Sequence, residues 1–216
     1  MTPFYRMHRI ILGGVFRLYF RIEAEGREEI PPEGPLILAA NHASFIDPVA
    51  VGVVCPRQIT ALAKQELWST PVLGWWLNWI GTKPIQRGQS DAGAVKAALE
   101  VLGHGKTILV FPEGTRTRDG TIGPMKAGVG LLARRSRAVV VPTYISGTFL
   151  ALPRTKYFPR PAKIRVHFAP AIGRDLVGEV PADRCGYEEI TRRVDQAIRA
   201  LDEKEREKAC VNPERK

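Results

Sequence analysis

Leu36-Ile37-Leu38-Ala39-Ala40-Asn41-His42-Ala43-Ser44-Phe45-Ile46-Asp47-Pro48 is the stretch that decides how the chain is read. Its first five residues are a short apolar run behind Pro35, the pattern of a buried strand. Asp47-Pro48 has the form of a helix start, with Asp47 as N-cap and Pro48 in the first helical position. His42 then hangs from the strand end and Asp47 from the mouth of the helix. A loop of this length folds back and brings the two side chains into hydrogen-bond range. Histidine takes and returns a proton near neutral pH. A carboxylate on its far ring nitrogen fixes the tautomer and stabilises the imidazolium. The pair brings no nucleophile of its own, so it reads as a base for a hydroxyl belonging to a substrate. The plain alternative is a capping aspartate beside a half-buried structural histidine. Such pairs arise by chance, and the rest of the chain has to decide.

The 216 residues suffice for one α/β domain with a real core. Cys55, Cys185 and Cys210 lie far apart, which predicts neither a disulfide framework nor a metal cluster and fits a reducing compartment. The four histidines are scattered without zinc-ligand spacing, so no metal is expected. A net charge of +10 favours an anionic partner: a membrane surface, nucleic acid, or an acidic substrate or carrier. Nucleic acid is set aside, because no RNA-binding aromatic motif occurs and the middle of the chain carries little charge. No secretory signal is evident in residues 1–22, which carry arginines throughout.

Residues 4–22 are expected to form a basic amphipathic helix. Arg6, Arg9, Arg17 and Arg21 fall within roughly 120° of one another at helical spacing. Phe4, Met7, Ile11, Leu12, Val15, Leu18, Tyr19 and Ile22 share the opposite arc. Uncharged runs here are too short to span a bilayer, so the helix suits the membrane interface. Packing on the domain core is the competing use of the same apolar arc.

Beyond it, strands and helices alternate. Helices are expected over 48–54, 90–102, 126–135 and 187–201, and strands over 58–63, 107–111 and 138–145. Residues 163–168 alternate as an edge or half-exposed strand should. All four tryptophans, Trp68, Trp75, Trp76 and Trp79, lie in one segment that reads as an acyl-chain wall or a second interface contact. The expected architecture is a single three-layer α/β/α domain with a mixed, largely parallel sheet, over 25–201. It follows a membrane-associating helix, 1–24, and precedes a charged solvated tail, 202–216.

Phe111-Pro112-Glu113-Gly114-Thr115-Arg116 also follows an apolar strand, and residues past strand ends gather at one crevice. Gly114 permits a tight turn that bares backbone N–H groups, and Arg116 offers a fork that fits a phosphate. Glu113 is placed to orient that arginine or to receive a substrate hydroxyl. Arg87 ends another short run and can reach the same phosphate.

Together these blocks resemble the glycerolipid acyltransferase family, the 1-acylglycerol-3-phosphate acyltransferases. Asn41-His42 to Asp47 is similar to the family's first motif. Gly81-Thr82-Lys83-Pro84-Ile85-Gln86-Arg87 is similar to its second and Phe111 to Thr117 to its third. Val141-Pro142-Thr143-Tyr144 is similar to its fourth. The likeness covers about residues 20–168, and Gln86 departs from it where an acidic residue is common.

The resemblance implies that His42 is the general base and Asp47 its orienting partner. It implies that Arg87, Glu113, Gly114, Thr115 and Arg116 bind the glycerol phosphate. Lys64 and Lys126 are candidates for oxyanion or phosphate contact. The implied reaction moves an acyl chain from acyl-CoA or acyl carrier protein to the sn-2 hydroxyl of lysophosphatidic acid. It needs no bound cofactor or metal, since a thioester is already activated. The implied setting is the cytoplasmic face of the inner membrane, with the protein peripheral or monotopic. Alternatives are another acceptor, such as a lyso-ornithine lipid or a headgrouped lysophospholipid, and a membrane-surface lipid binder without turnover.

Overall fold

The computed structural model describes residues 1–64, 69, 74, 82–85 and 91–211. The tryptophan-rich segment, apart from its backbone at 69 and 74, and Arg87 lie outside these residues, as do the side chains of 62–64. The sheet forms around β2, Leu36–Ala40, whose five residues are all buried. On one side it pairs in parallel with β5, Thr107–Val110, and on the other with β6, Val139–Ser146. Beyond β5 lie β3, Ile59–Lys64, and β4, Lys83–Ile85. Beyond β6 lie β7, Arg165–Phe168, and β1, Glu23–Glu25. The described strands form one sheet in the order β1-β7-β6-β2-β5-β3-β4. Every pairing is parallel except β6 with β7.

Alternation along β2 assigns the two faces. Leu36, Leu38 and Ala40 join one apolar cluster with Leu109, Val141 and Val166. Helices α1, Pro3–Tyr19, and α2, Asp47–Val54, cover that face. Ile37 and Ala39 join the other cluster with Ile108 and Val140. There α3, Asp91–Gly103, α4, Gly128–Ser136, and the long α7, Arg184–Val211, close the core. Two short helices, α5 at Thr148–Ala151 and α6 at Arg174–Glu179, complete the chain. The result is the expected three-layer α/β/α arrangement around a largely parallel sheet. Each fully buried Leu or Ile contributes roughly 1.5–3 kcal/mol of transfer free energy, so this double-faced sheet is the main source of stability.

Four expectations change. Residues 163–168 are not an edge, because β1 pairs outside β7 and Val166 and Phe168 are buried. The N-terminal helix, expected over 4–22 in a segment 1–24, ends at Tyr19, and Glu23–Glu25 becomes β1 by pairing with β7 although Glu-Ala-Glu carries no strand propensity. The last helix does not stop at Leu201. It runs to Val211, because Asp202 accepts from the Tyr144 hydroxyl at 2.7 Å and the buried Glu205 pairs with Arg165. Helix α1 also presents a third arc that the two-face reading did not separate. Tyr5 and Phe16, with Phe20 just past its end, face the core, and Arg9 on that side donates to the Cys55 carbonyl at 3.0 Å. The apolar arc with Met7, Ile10, Ile11, Val15 and Leu18 stays exposed.

Proline within an interior strand is unusual, and β6 carries Pro142 beside Ala39 of β2. Its missing N–H faces the β7 side, where the ladder has already ended at Thr143. There its carbonyl accepts from the Ala169 N–H at 2.8 Å.

Candidate active site

β2 and β5 run parallel and side by side, so their C-terminal loops emerge at the same edge. Three links bind those loops together. The Thr117 N–H donates to the His42 carbonyl at 2.9 Å. The His42 N–H donates to Oε1 of Glu113 at 2.7 Å. The Phe111 ring stacks on the His42 imidazole at 3.9 Å between centroids and 15° between planes. Asn41 fixes the end of β2 to β6 from the other side. Its amide donates to the Ile145 carbonyl at 3.0 Å, and its oxygen accepts from the Ile145 N–H at 2.7 Å.

His42 and Asp47 meet as the spacing predicts, with Nδ1 2.8 Å from Oδ2. Asp47 is fully buried. Its Oδ2 also accepts the N–H groups of Ala43 and Ser44, each at 2.7 Å. Asp47 is therefore not the N-cap. It is the first helical residue of α2, after Ile46, and its carboxylate turns back over the loop to hold the ring. A carboxylate accepts only, so Nδ1 carries the proton and Nε2 keeps its lone pair. Nε2 makes no hydrogen bond to the described residues, and the side chain retains 19% exposure. The ring is thus held by Asp47 at Nδ1, with Nε2 unengaged by the described residues.

Glu113 is buried, and its Oε2 accepts the Gly123 N–H at 2.8 Å while Oε1 accepts the His42 N–H at 2.7 Å. Both oxygens thus tie backbone of the two loops together, and Glu113 forms no ion pair with Arg116. Gly114 adopts a left-handed φ of 72° and Thr115 beside it is exposed. The Lys126 ammonium lies against Gly114, 3.0 Å from where a side-chain carbon there would stand. Arg116 extends over Phe45, 5.9 Å from the ring centroid. Among the described residues neither Arg116 nor Lys126 forms an ion pair, and both cations flank the turn. Such a site attracts an anion. The structure therefore gathers His42, Asp47, Glu113, Gly114, Thr115, Arg116 and Lys126. Arg87 and the Lys64 side chain lie outside the described residues.

Sequence reasoning missed the clamp of Asn41 on β6, the Phe111 stack and the Gly123 N–H. Asn41 and Phe111 sat within the quoted motifs, but their partners come from another strand and another loop. Gly123 had no signal of its own.

Fold and site define a class: an α/β domain holding a hydrogen-bonded His–Asp pair and a cationic turn at the carboxyl ends of parallel strands. A family model described as Acyltransferase matches residues 21–146, and the chain belongs to that acyltransferase family. It is 30% identical over 138 residues to a chloroplastic 1-acyl-sn-glycerol-3-phosphate acyltransferase of Arabidopsis thaliana, covering 62% of this chain and 38% of that protein. It is 31% identical over 186 residues to the 1-acyl-sn-glycerol-3-phosphate acyltransferase of Saccharomyces cerevisiae, covering 82% of this chain and 59% of that protein. With the Bacillus subtilis protein of the same name it shares 28% over 127 residues, 58% of this chain and 63% of that one. The matches thus take in between 38% and 63% of these relatives' own lengths. The fold is similar to the crystal structure of the 1-acyl-sn-glycerophosphate (LPA) acyltransferase PlsC from Thermotoga maritima. That comparison gives a TM-score of 0.75 and 25% identity over 93% of this chain and 81% of the other.

Proposed function

We propose that the protein transfers a fatty acyl chain from an acyl thioester to the sn-2 hydroxyl of 1-acyl-glycerol-3-phosphate, giving phosphatidic acid. The observation that carries this reading is the His42–Asp47 pair, one oxygen of Asp47 taking three donors, beside the Gly114 turn flanked by Arg116 and Lys126. Nε2 of His42 removes the proton of the acceptor hydroxyl, and the oxygen attacks the thioester carbonyl carbon. Asp47 holds the Nδ1 proton and stabilises the imidazolium. Backbone N–H groups and Lys64 are assigned to the tetrahedral oxyanion. Collapse breaks the C–S bond, and the thiolate takes the proton back from Nε2. Arg116, Lys126, Arg87 and the amides at Gly114 and Thr115 hold the acceptor's phosphate. The donor is acyl-CoA or acyl carrier protein, and the net charge of +10 suits either.

The same reading places the protein peripherally on the cytoplasmic face of the inner membrane, with α1, Pro3–Tyr19, as the interfacial helix and the domain that begins at β1 following. The exposed apolar arc of α1, with Leu18 at 87% exposure and Arg6 and Arg17 on its flank, supports this. Among the described residues no helix is long and apolar enough to cross a membrane.

The test is thiol release from acyl-CoA by the purified protein in mixed micelles, with and without lysophosphatidic acid. Release is expected to require the acceptor, to vanish in His42→Ala, and to fall on the order of 10⁴-fold in Asp47→Asn. Undiminished release from His42→Ala would sink the mechanism. Release with another lysolipid only would replace the acceptor.

A further inference from the structure

Residues 150–160, from the end of α5 toward β7, form a basic and aromatic projection. Leu150, Tyr157 and Phe158 are 72%, 93% and 85% exposed. Arg154, Lys156 and Arg160 alternate with them and are exposed too. No acidic residue occurs between Asp119 and Asp175. Large apolar side chains grouped in water mark a surface that meets something.

The projection is anchored rather than loose. Its base is closed by the Arg160 N–H donating to the Ala151 carbonyl at 2.7 Å, and a turn by the Lys156 N–H donating to the Pro153 carbonyl at 3.0 Å. The Ser44 hydroxyl donates to the Leu152 carbonyl at 2.7 Å, which ties it to the loop between His42 and Asp47. The Tyr19 hydroxyl donates to the Pro159 carbonyl at 3.0 Å, which ties its other limb to α1. Tyr19 is itself exposed, at the margin of the apolar arc of α1, so the loop continues that surface.

We infer that the 150–160 loop is a second lipid-docking element, taking an anionic bilayer surface together with α1. Leu150, Tyr157 and Phe158 enter the boundary between headgroups and acyl chains, where aromatic side chains are favoured. Arg154, Lys156 and Arg160 meet the lipid phosphates. The inference rests on the interfacial reading of α1 and deepens it. A helix alone can roll on a bilayer. A second contact, hydrogen-bonded to both the helix and the His42 loop, sets the depth and tilt of the catalytic mouth. An acidic protein would match the charge as well, but adjacent exposed aromatics continuous with an apolar helix face fit lipid.

The full-length chain is tested by co-sedimentation with vesicles of phosphatidylcholine alone and of phosphatidylcholine with phosphatidylglycerol. Three variants are compared: Arg154→Gln/Lys156→Gln/Arg160→Gln, Tyr157→Ser/Phe158→Ser, and Ile10→Ser/Leu18→Ser in α1. Unchanged thermal melting establishes that each folds. The basic triple variant is expected to lose on the order of a hundredfold in partition onto anionic vesicles, about fivefold per residue, and little on neutral ones. The aromatic variant is expected to lose on the order of tenfold on both. Both loop variants should keep wild-type thiol release with a short-chain acceptor below its aggregation concentration. Wild-type partition by both loop variants overturns the inference, and so does failure of the unaltered chain to bind any vesicle. Unchanged partition with a raised KM for acyl carrier protein alone makes the loop a protein-docking site, which overturns it too. Loss in the loop variants with none in the α1 variant overturns the joint docking with α1 that the inference states. Vesicle binding without thiol release removes the enzymatic reading and leaves the loop.

Discussion

Asp47 shows how much one side chain can organise. Its Oδ2 takes the imidazole and two backbone N–H groups, so the carboxylate shapes the loop and fixes the tautomer in one act. Glu113 has a comparable place one strand away, bridging the N–H groups of His42 and Gly123. Glu113→Gln places an amide where two donors converge, and one buried N–H loses its acceptor at about 1–3 kcal/mol. We expect kcat to fall about tenfold or more in that variant, with KM for the acceptor within about threefold. Arg116→Ala should show the opposite split, a raised KM with kcat nearly kept, because among the described residues its guanidinium meets the Phe45 ring and no carboxylate. Steady-state kinetics over acceptor concentration separate the two. Equal KM losses in both variants would return Glu113 to the binding site. The His42–Asp47 pair was legible because both residues lie on one short loop. The role of Glu113 was not, since its partners come from residues 71 and 10 positions away.

At the scale of elements, periodicity located most strands and helices within a residue or two. What it could not supply was how α1 divides its surface. The arc that packs is aromatic, Tyr5 and Phe16, with ring contact from Phe16 to Phe20 at 4.9 Å. Tyr5 is buried deeply enough that its phenol is pushed up to about 12, and its oxygen accepts the Ile59 N–H at 3.3 Å. The helix pair α4–α7 carries a sharper constraint. A side-chain carbon on Gly130 would stand 1.9 Å from the Tyr187 carbonyl oxygen. Gly130→Ala must therefore push α7 away from α4 and should cost roughly 1–3 kcal/mol, more if the helices cannot shift. Urea unfolding reads this directly. A midpoint unchanged from the parent would mean that α7 slides freely at its start.

Across the whole molecule, a charged cluster closes the β1 edge beneath α7. His167 is buried on β7, 3.3 Å from Glu25 and 3.4 Å from Glu205, and Arg165 beside it pairs with Glu23 and Glu205. Burial lowers the His167 pKa below its ordinary value, against the opposing pull of Glu205 and Glu25. The native state then binds fewer protons than the unfolded chain. This contribution to stability is full above the ordinary imidazole pKa of about 6.5 and is lost as pH falls through the lowered value. Unfolding free energy should decline from pH 7.5 toward pH 5, and His167→Gln should flatten part of that decline. An identical pH slope in the variant would locate the acid sensitivity elsewhere. The cluster also explains why the charged segment from Asp202 is helical through Val211: Asp202 and Glu205 find partners on β6 and β7.

The sequence by itself determined the α/β class, the central buried strands, the His42–Asp47 pair and the cationic turn after β5. Each of these rests on apolar period, loop length or residues a few positions apart, which are local quantities. Only the tertiary structure decided the rest. It made β1 a strand, because a polar triplet becomes one only beside β7. It made Glu113 a brace between two loops, because two distant N–H groups arrive at its carboxylate. It left the apolar arc of α1 exposed beside the 150–160 loop, because the aromatic arc of the helix had already filled the place on the core. Hydrophobic patterning says that a side chain can be buried. Which competing surface is buried depends on what the remaining elements have already covered.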